Sequence, residues 1–276
     1  MAEKSVLVTG STDGIGLQTA LSLSYDPQRR VILHGRSRER CEKAMDYVLE
    51  RCADARLDYL VYDFAAMANV VLMADEVKAR FGNLSAVVCN AGVLMPEREE
   101  TVDGFEMTFQ VNHLAHFALV NLLLDTLKKN KPSRIVVVSS VCYDWYRMDF
   151  DNIMAVGKYE KFAQYSRSKL ANHMFTFALA RRLTNTGVTC NVYEPGIVAT
   201  KLRRVGGQIS GIEPKRGCRA AVYLVESDDV ANVNGCFFDR DHRAAVTNRV
   251  SSNRDFQEKL WQLSVQLCKE RGITFE

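Results

Sequence analysis

The stretch Ser5-Val6-Leu7-Val8-Thr9-Gly10-Ser11-Thr12-Asp13-Gly14-Ile15-Gly16 decides the fold. Its first half is apolar and β-branched, as a buried strand should be. Its second half spaces glycines as GxxxGxG ahead of a segment of helical period over about 14–24. Gly10 permits the tight turn, Gly14 lets the backbone approach a pyrophosphate, and Gly16 lets helix and strand pack closely. Ser11, Thr12, Asp13 and Ile15 complete the turn. The helix start behind them offers free N–H groups and a partial positive charge to phosphates. A glycine triplet alone would mark only a turn; between a first strand and a first helix it predicts a dinucleotide site.

Outward from that turn, short β-branched runs alternate with longer helical segments. Strands are expected at Ser5–Thr9, Arg30–His34, Leu57–Tyr62, Leu84–Cys89, Arg134–Ser139, Val188–Tyr193 and, briefly, Gly235–Phe238. Helices are expected over about 37–53, 67–81, 100–129, 160–186 and 215–226, with a last one near Asn253–Glu270 carrying Phe256, Leu260, Leu263 and Leu267 on one face. Strands apolar throughout, such as Arg134–Ser139, belong in a parallel sheet covered on both sides. The order specifies an α/β fold: a single Rossmann-type doubly wound domain over 1–276, with a mostly parallel seven-stranded sheet and helices on both faces.

The 276 residues are enough for a large core, and 47% hydrophobic against 25% charged residues excludes a disordered or fibrous chain. Charges are dispersed and sum to +3, which argues against nucleic acid as a partner. Eight scattered cysteines show no CxxC pair, and the five histidines no ligand spacing, so no metal site is expected. Several cysteines sit in apolar runs, the pattern of reduced core residues, and the opening segment is too short for a signal peptide. No apolar run reaches the length of a membrane span. A cytoplasmic protein is expected.

In a doubly wound fold, ligands bind outside the carboxyl ends of the strands. After strand two comes Leu33-His34-Gly35-Arg36-Ser37-Arg38, with no acid until Glu39. An acid there would read a ribose 2′-hydroxyl; Arg36, aided by Ser37 or Arg38, meets a 2′-phosphate with forked donors. NADP(H) is therefore favoured over NAD(H), although the same arginines could merely solvate a helix start. Asp63, with Phe64 beside it after strand three, is either an acceptor for the adenine amino group or a helix cap.

Tyr165-Ser166-Arg167-Ser168-Lys169 sets a phenol and an ammonium one helical turn apart. A nearby cation stabilises phenolate and brings a tyrosine toward the working range of a general acid/base. Ser139 and Ser140 end strand five, and Asn112 lies within the expected fourth helix; both should reach the same edge of the sheet.

These residues together resemble the short-chain dehydrogenase/reductase family. Thr9–Gly16 matches its TGxxxGxG turn, Asn90-Ala91-Gly92 its NAG motif, Tyr165–Lys169 its YxxxK, and Pro195-Gly196 with Thr200 its PGxxxT segment. The region Asn248–Cys268, with Lys259-Leu260-Trp261-Gln262-Leu263-Ser264, looks like the retinol dehydrogenase and carbonyl reductase branch. The resemblance implies a tetrad of Asn112, Ser140, Tyr165 and Lys169, with Ser140 chosen over Ser139 by alignment alone. Tyr165 would exchange a proton with the substrate oxygen, Ser140 would hydrogen-bond that oxygen, Lys169 would lower the tyrosine pKa and bind ribose hydroxyls, and Asn112 would hold a water leading to Lys169. Asn90 would bracket the adenosine-side ribose region, and Ile197 and Thr200 the carboxamide. The family also implies a homodimer or homotetramer through the helices starting near 100 and 160. Many retinol dehydrogenases carry an N-terminal anchor, whereas this sequence opens on strand one, which suggests a soluble relative with a different substrate. Position 13 is Asp, where some NADP-dependent relatives place a basic residue.

The loop between Ser140 and Tyr165 carries Tyr143, Trp145, Tyr146, Met148, Phe150, Met154 and Tyr159. A loop that long is usually functional, and these side chains suggest an apolar cap (about 141–160) over a hydrophobic retinoid, steroid or lipid-type carbonyl or alcohol. A second cap element is expected over about 201–216, where Gly206, Gly207 and Gly211 give hinges and Lys201, Arg203 and Arg204 a basic rim. That rim would also suit an acidic substrate. Rival readings are a cofactor-binding regulatory protein without turnover and a nucleotide-sugar epimerase; the intact tetrad opposes the first, the GxxxGxG spacing and the length the second.

Overall fold

The inner strands of the central sheet serve two cores at once. In the computed structural model, which describes residues 4–275 except 201, 203, 204, 206, 208 and 209, β1 (Lys4–Val8) sends Leu7 to one side and Val6 and Val8 to the other. β2 (Arg29–Gly35) divides Ile32 from Val31 and Leu33 in the same way. Such strands need helices on both faces. The first face carries α3 (Met67–Arg80), α5 (Ala115–Lys129) and α6 (Lys161–Arg182). The second carries α1 (Gly14–Leu23), α2 (Arg38–Leu49) and α8 (Arg219–Glu226); the single turn α7 (Pro214–Gly217) precedes α8.

The other strands are β3 (Arg56–Val61), β4 (Leu84–Cys89), β5 (Ser133–Val138), β6 (Val188–Tyr193), β7 (Phe237–Phe238) and β8 (Ala244–Ala245). Their order is β3-β2-β1-β4-β5-β6-β7-β8, parallel except where β8 returns against β7. The Rossmann-type α/β expectation holds, with eight strands instead of seven. β8 is two alanines at the sheet edge, too short and too plain for any strand pattern to show. The chain lays down β2 and β3 on one side of β1 and β4 onward on the other, and this reversal of strand order between the parallel β1 and β4 opens the crevice at their carboxyl ends.

One expected helix is corrected. Residues 100–106 are not helical; the helical stretch starts with α4 (Met107–Phe109), passes through a π-turn over Gln110–Leu114 and only then becomes α5. The start is fixed by Glu106, fully buried, whose carboxylate accepts from the Thr108 and Phe109 N–H groups at 2.8 and 2.7 Å. Apolar periodicity continues through this region, which is why it reads as one helix.

The C-terminal helix α10 (Arg254–Lys269), preceded by the short α9 (Arg249–Ser252), packs into the groove between α5 and α6. Trp261 lies 4.9 Å from Phe117 and 6.1 Å from Phe175, ring centre to ring centre, with the Arg182 guanidinium 3.9 Å from its own ring centre. His113 Nε2 and Ser264 Oγ are 2.9 Å apart. The groove between the two helices to which the resemblance assigns subunit pairing is thus filled by the chain itself. All eight cysteines are free thiols. Among the described residues no helix is long and apolar enough to cross a membrane, and no cluster could hold a metal ion.

Candidate active site

The crevice is built by contacts across the β1/β4 switch point. Asn90 Nδ2 donates to the carbonyls of Thr9 (2.8 Å) and Gly10 (3.1 Å), and the Thr9 hydroxyl accepts from the Asn90 and Ala91 N–H groups at 2.9 and 3.0 Å. Asn90 therefore braces the glycine turn with its side chain. Gly10 and Gly14 have φ of +62° and +57°, where other L-residues are strained. A Cβ on Gly10 would lie 2.7 Å from Ala91 Cα; one on Gly16 would run into the Asn90 amide and stand 2.5 Å from the Gly10 carbonyl oxygen. Asp13 caps α1 by accepting from the Gly14 N–H at 2.8 Å. These glycines leave an open cradle in front of a helix N-terminus, the shape and polarity a pyrophosphate requires.

The predicted binding residues fall around that cradle, in different capacities. Ser11 is fully buried, exchanging hydrogen bonds with the His34 main chain at 2.9 Å each way. Thr12 packs its methyl on Gly35, and so brings the turn against the end of β2. Arg36 follows there, exposed. Arg38 is engaged by the Tyr59 hydroxyl at 2.8 Å and Glu42 at 3.9 Å, and Ser37 caps α2 through Arg40 N–H. Asp63 accepts from Ala65 N–H at 3.0 Å, so its carboxylate shapes the turn after β3, while α3 receives its cap from Asp103, whose Oδ2 is 2.7 Å from Met67 N. The Phe64 ring is buried and stacks on His34, ring centres 4.5 Å apart, so only its backbone faces the crevice edge. Ile15 lies near Gly217, and Thr200 Cγ2 is 3.3 Å from the Cβ position of Gly14, which brings the 195–200 segment to the cradle. Pro195 is buried there, Gly196 has φ +76° with its N–H held by Glu194 at 2.6 Å, and Ile197 is exposed. Lys201, Arg203, Arg204 and Gly206 lie outside the described residues.

Asn112, Ser140, Tyr165 and Lys169 converge beside the cradle. Lys169 is buried, its Nζ donating to the Val138 carbonyl at 3.1 Å. A Cβ on Gly92 would lie 3.3 Å from Asn112 Oδ1 and 3.6 Å from Lys169 Nζ, which places the Asn90-Ala91-Gly92 segment directly over the pair. Ser140 ends β5 and caps the following turn, accepting from Cys142 N–H at 3.2 Å. It also hydrogen-bonds the Tyr165 phenol. Ser139 instead turns inward to the Lys169 carbonyl at 3.2 Å, which separates the two serines that sequence alone left level.

Asn112 commits its side chain to protein: Oδ1 accepts from Val93 N–H at 2.7 Å, and Nδ2 donates to the Val93 carbonyl (2.9 Å) and Ser168 Oγ (3.0 Å). Its main-chain carbonyl lies in the π-turn, 3.1 Å from His116 Nδ1. Burial, with a smaller push from Cys142, drives the Tyr165 phenol well above its ordinary value against the Ser140 hydrogen bond. The Lys169 Nζ stands 5.7 Å from the ring centre and is itself pushed down to about 8 by burial.

Sequence reading missed two histidines. His34 Nδ1 accepts from the Gly10 N–H at 3.1 Å while Nε2 pairs with the Tyr62 carbonyl at 3.0 Å, and burial pushes its pKa down to about 4. His116 joins the Asn112 carbonyl to the Thr9 hydroxyl. Neither role uses a metal-ligand spacing, so a search for such spacings passes over both; the only signal available was a polar residue at a core-facing position.

Fold, cradle and tetrad define a nicotinamide-dependent oxidoreductase of the Rossmann class, and the comparisons with known proteins agree. The family model for short chain dehydrogenase matches residues 4–208. Retinol dehydrogenase 14 of Mus musculus is 37% identical over 96% of this chain and 85% of its own length, and retinol dehydrogenase 13 of Homo sapiens 34% identical over 96% and 84%. Among solved structures, a putative uncharacterized protein from Mycobacterium paratuberculosis superposes with a TM-score of 0.81 at 29% identity, covering 97% of this chain and 94% of its own. A short chain dehydrogenase from Shigella flexneri, complexed with NADP, shares the fold at a TM-score of 0.71 and 24% identity, over 87% of this chain and 98% of its own. This chain belongs to the short-chain dehydrogenase/reductase family, on the side of the retinol dehydrogenases.

The cradle makes a direct prediction. Gly16→Ala forces the Gly10 turn and Asn90 apart, so the variant should lose about 1–3 kcal/mol in urea unfolding, as overpacking does, and bind dinucleotide at least about tenfold more weakly by fluorescence titration, a step of about 1.4 kcal/mol. Unchanged affinity would contradict the cradle.

Proposed function

We propose that the protein is an NADP(H)-dependent oxidoreductase that interconverts a hydrophobic carbonyl compound and its alcohol. The observation that carries this reading is the convergence of Ser140, Tyr165 and Lys169 beside a glycine cradle shaped for a pyrophosphate. When bound, the nicotinamide supplies or accepts the hydride. Gly10, Gly14, Gly16 and the start of α1 hold the pyrophosphate; Lys169 and the Asn90–Gly92 segment flank the ribose; Ile197 and Thr200 border the carboxamide end. Arg36 is the group for a 2′-phosphate, because it is exposed at the end of β2 while Arg38 is drawn to Tyr59 and Glu42.

At the reacting carbon, Ser140 holds the substrate oxygen in place and Tyr165 transfers the proton. A phenol pushed upward by burial stays protonated at neutral pH, which suits it to donate during carbonyl reduction. Lys169, positioned through the Val138 carbonyl, would pass protons between the phenol and water held near Asn112.

The aromatic loop divides into two functions. Tyr143 stacks on His173, ring centres 3.9 Å apart, and Met148, Phe150, Ile153 and Met154 join the core. Trp145 and Tyr146 remain exposed at 55% and 41%, and with Phe162, one turn before Tyr165 on α6, offer an apolar rim. That rim, with the similarity to retinol dehydrogenases, supports a retinoid or lipid-type substrate.

Two variants test the reading. Tyr165→Phe should abolish NADPH-dependent reduction of an aldehyde panel while NADPH still binds, because only the phenolic oxygen is removed; undiminished turnover would exclude Tyr165 as proton donor. Arg36→Asp should move the ratio of kcat/KM for NADPH over NADH by at least about tenfold toward NADH, from loss of a charge-assisted contact. An unchanged ratio would mean that other residues read the phosphate.

A further inference from the structure

His116 sits where the catalytic turn meets the dinucleotide cradle. Its Nδ1 is 3.1 Å from the Asn112 carbonyl, in the π-turn, and its Nε2 is 2.8 Å from Thr9 Oγ1. Thr9 Oγ1 already accepts two N–H donors, from Asn90 and Ala91. A hydroxyl has two acceptor sites, so toward His116 it can only donate, its one proton shared between the nearer His116 Nε2 and the Val88 carbonyl at 3.2 Å. That fixes the imidazole as neutral, with Nδ1–H donating to the Asn112 carbonyl and Nε2 accepting from Thr9. Burial and the Lys169 charge push its pKa to about 3, in keeping with that form. The ring is 1% exposed and cannot turn freely, since the Phe64 ring stands edge-on to it at 5.4 Å, backed in turn by His34.

The Asn112 carbonyl has a second lone pair, and the Asn112 side chain is spent on Val93 and Ser168. The direction in which that carbonyl points is therefore set in part by the imidazole that holds it. We propose that His116 is a positioning residue: by donating to the Asn112 carbonyl and accepting from the Thr9 hydroxyl, it holds the π-turn at a fixed angle to the cofactor cradle, so that the carbonyl serves Lys169. The proposal rests on the oxidoreductase reading for its kinetic consequence but not for its structural one.

Three substitutions separate the two hydrogen bonds. In His116→Asn the amide nitrogen takes the place of Nδ1 and keeps the bond to Asn112; in His116→Gln the amide oxygen takes the place of Nε2 and keeps only the bond it accepts from Thr9; His116→Phe keeps neither. Expected is a kcat about tenfold below wild type for the Phe and Gln variants, of the order of one buried hydrogen bond, with His116→Asn recovering most of it. The NADPH dissociation constant should move less than about threefold in all three, since the cradle N–H groups still reach Thr9. Hydrogen exchange over 107–120, which needs no turnover, should show the same order, with the Asn variant protected like wild type. A His116→Phe variant with wild-type kcat, or losses that follow thermal midpoints in place of the Asn-over-Gln order, would overturn the proposal. A wild-type protein that binds NADPH but reduces no carbonyl would count against the oxidoreductase reading alone; the exchange order would then decide the role of His116.

Discussion

The site depends on one hydroxyl. Thr9 Oγ1 stands at the carboxyl end of β1, where the strand order of the sheet switches sides, and ties the start of the β4 loop to His116 on α5. Without such a link, three segments that meet only at the crevice would have unpaired backbone donors in a buried place. With it, Asn90 is free to brace the carbonyls of Thr9 and Gly10, and the glycine turn is shaped before any ligand arrives. The missing side chain of Gly16 follows from the same contact, because the Asn90 amide occupies the space a Cβ would need.

The catalytic side is built by a comparable compromise between burial and polarity. Lys169 and Tyr165 are nearly excluded from water, and burial opposes the charged form of each. Their polar atoms are therefore anchored to backbone and to Ser140, not to one another. His34 and His116 extend the pattern inward: both are neutral, both buried, and each spans two elements with its two ring nitrogens. Phe64 fills the space between the rings, which gives an apparently cofactor-facing aromatic a packing role.

Much of this was legible in the sequence, for physical reasons. β1, β4 and β6 are apolar runs flanked by turn residues, and a strand buried on both faces has no other way to look. The glycine turn and the Tyr165–Lys169 spacing were readable because close backbone approach and a one-turn separation restrict residue type. The edge strand Ala244–Ala245 has no such pattern, and the π-turn at Gln110–Leu114 leaves the apolar period undisturbed. His116 and Thr9 meet across more than a hundred residues of chain, through a tautomer choice made by their neighbours. The bonds of the Asn112 side chain were out of reach for a related reason: its partners Val93 and Ser168 become neighbours only after folding.

The most direct test of the account follows the hydride itself. Wild-type protein is incubated with a long-chain apolar aldehyde and NADPH carrying deuterium at the transferable C4 position, and the alcohol is analysed by mass spectrometry. The account predicts a single deuterium on the carbinol carbon of each product molecule. Alcohol without deuterium, or no alcohol across a panel of apolar aldehydes while NADPH is bound, would contradict it.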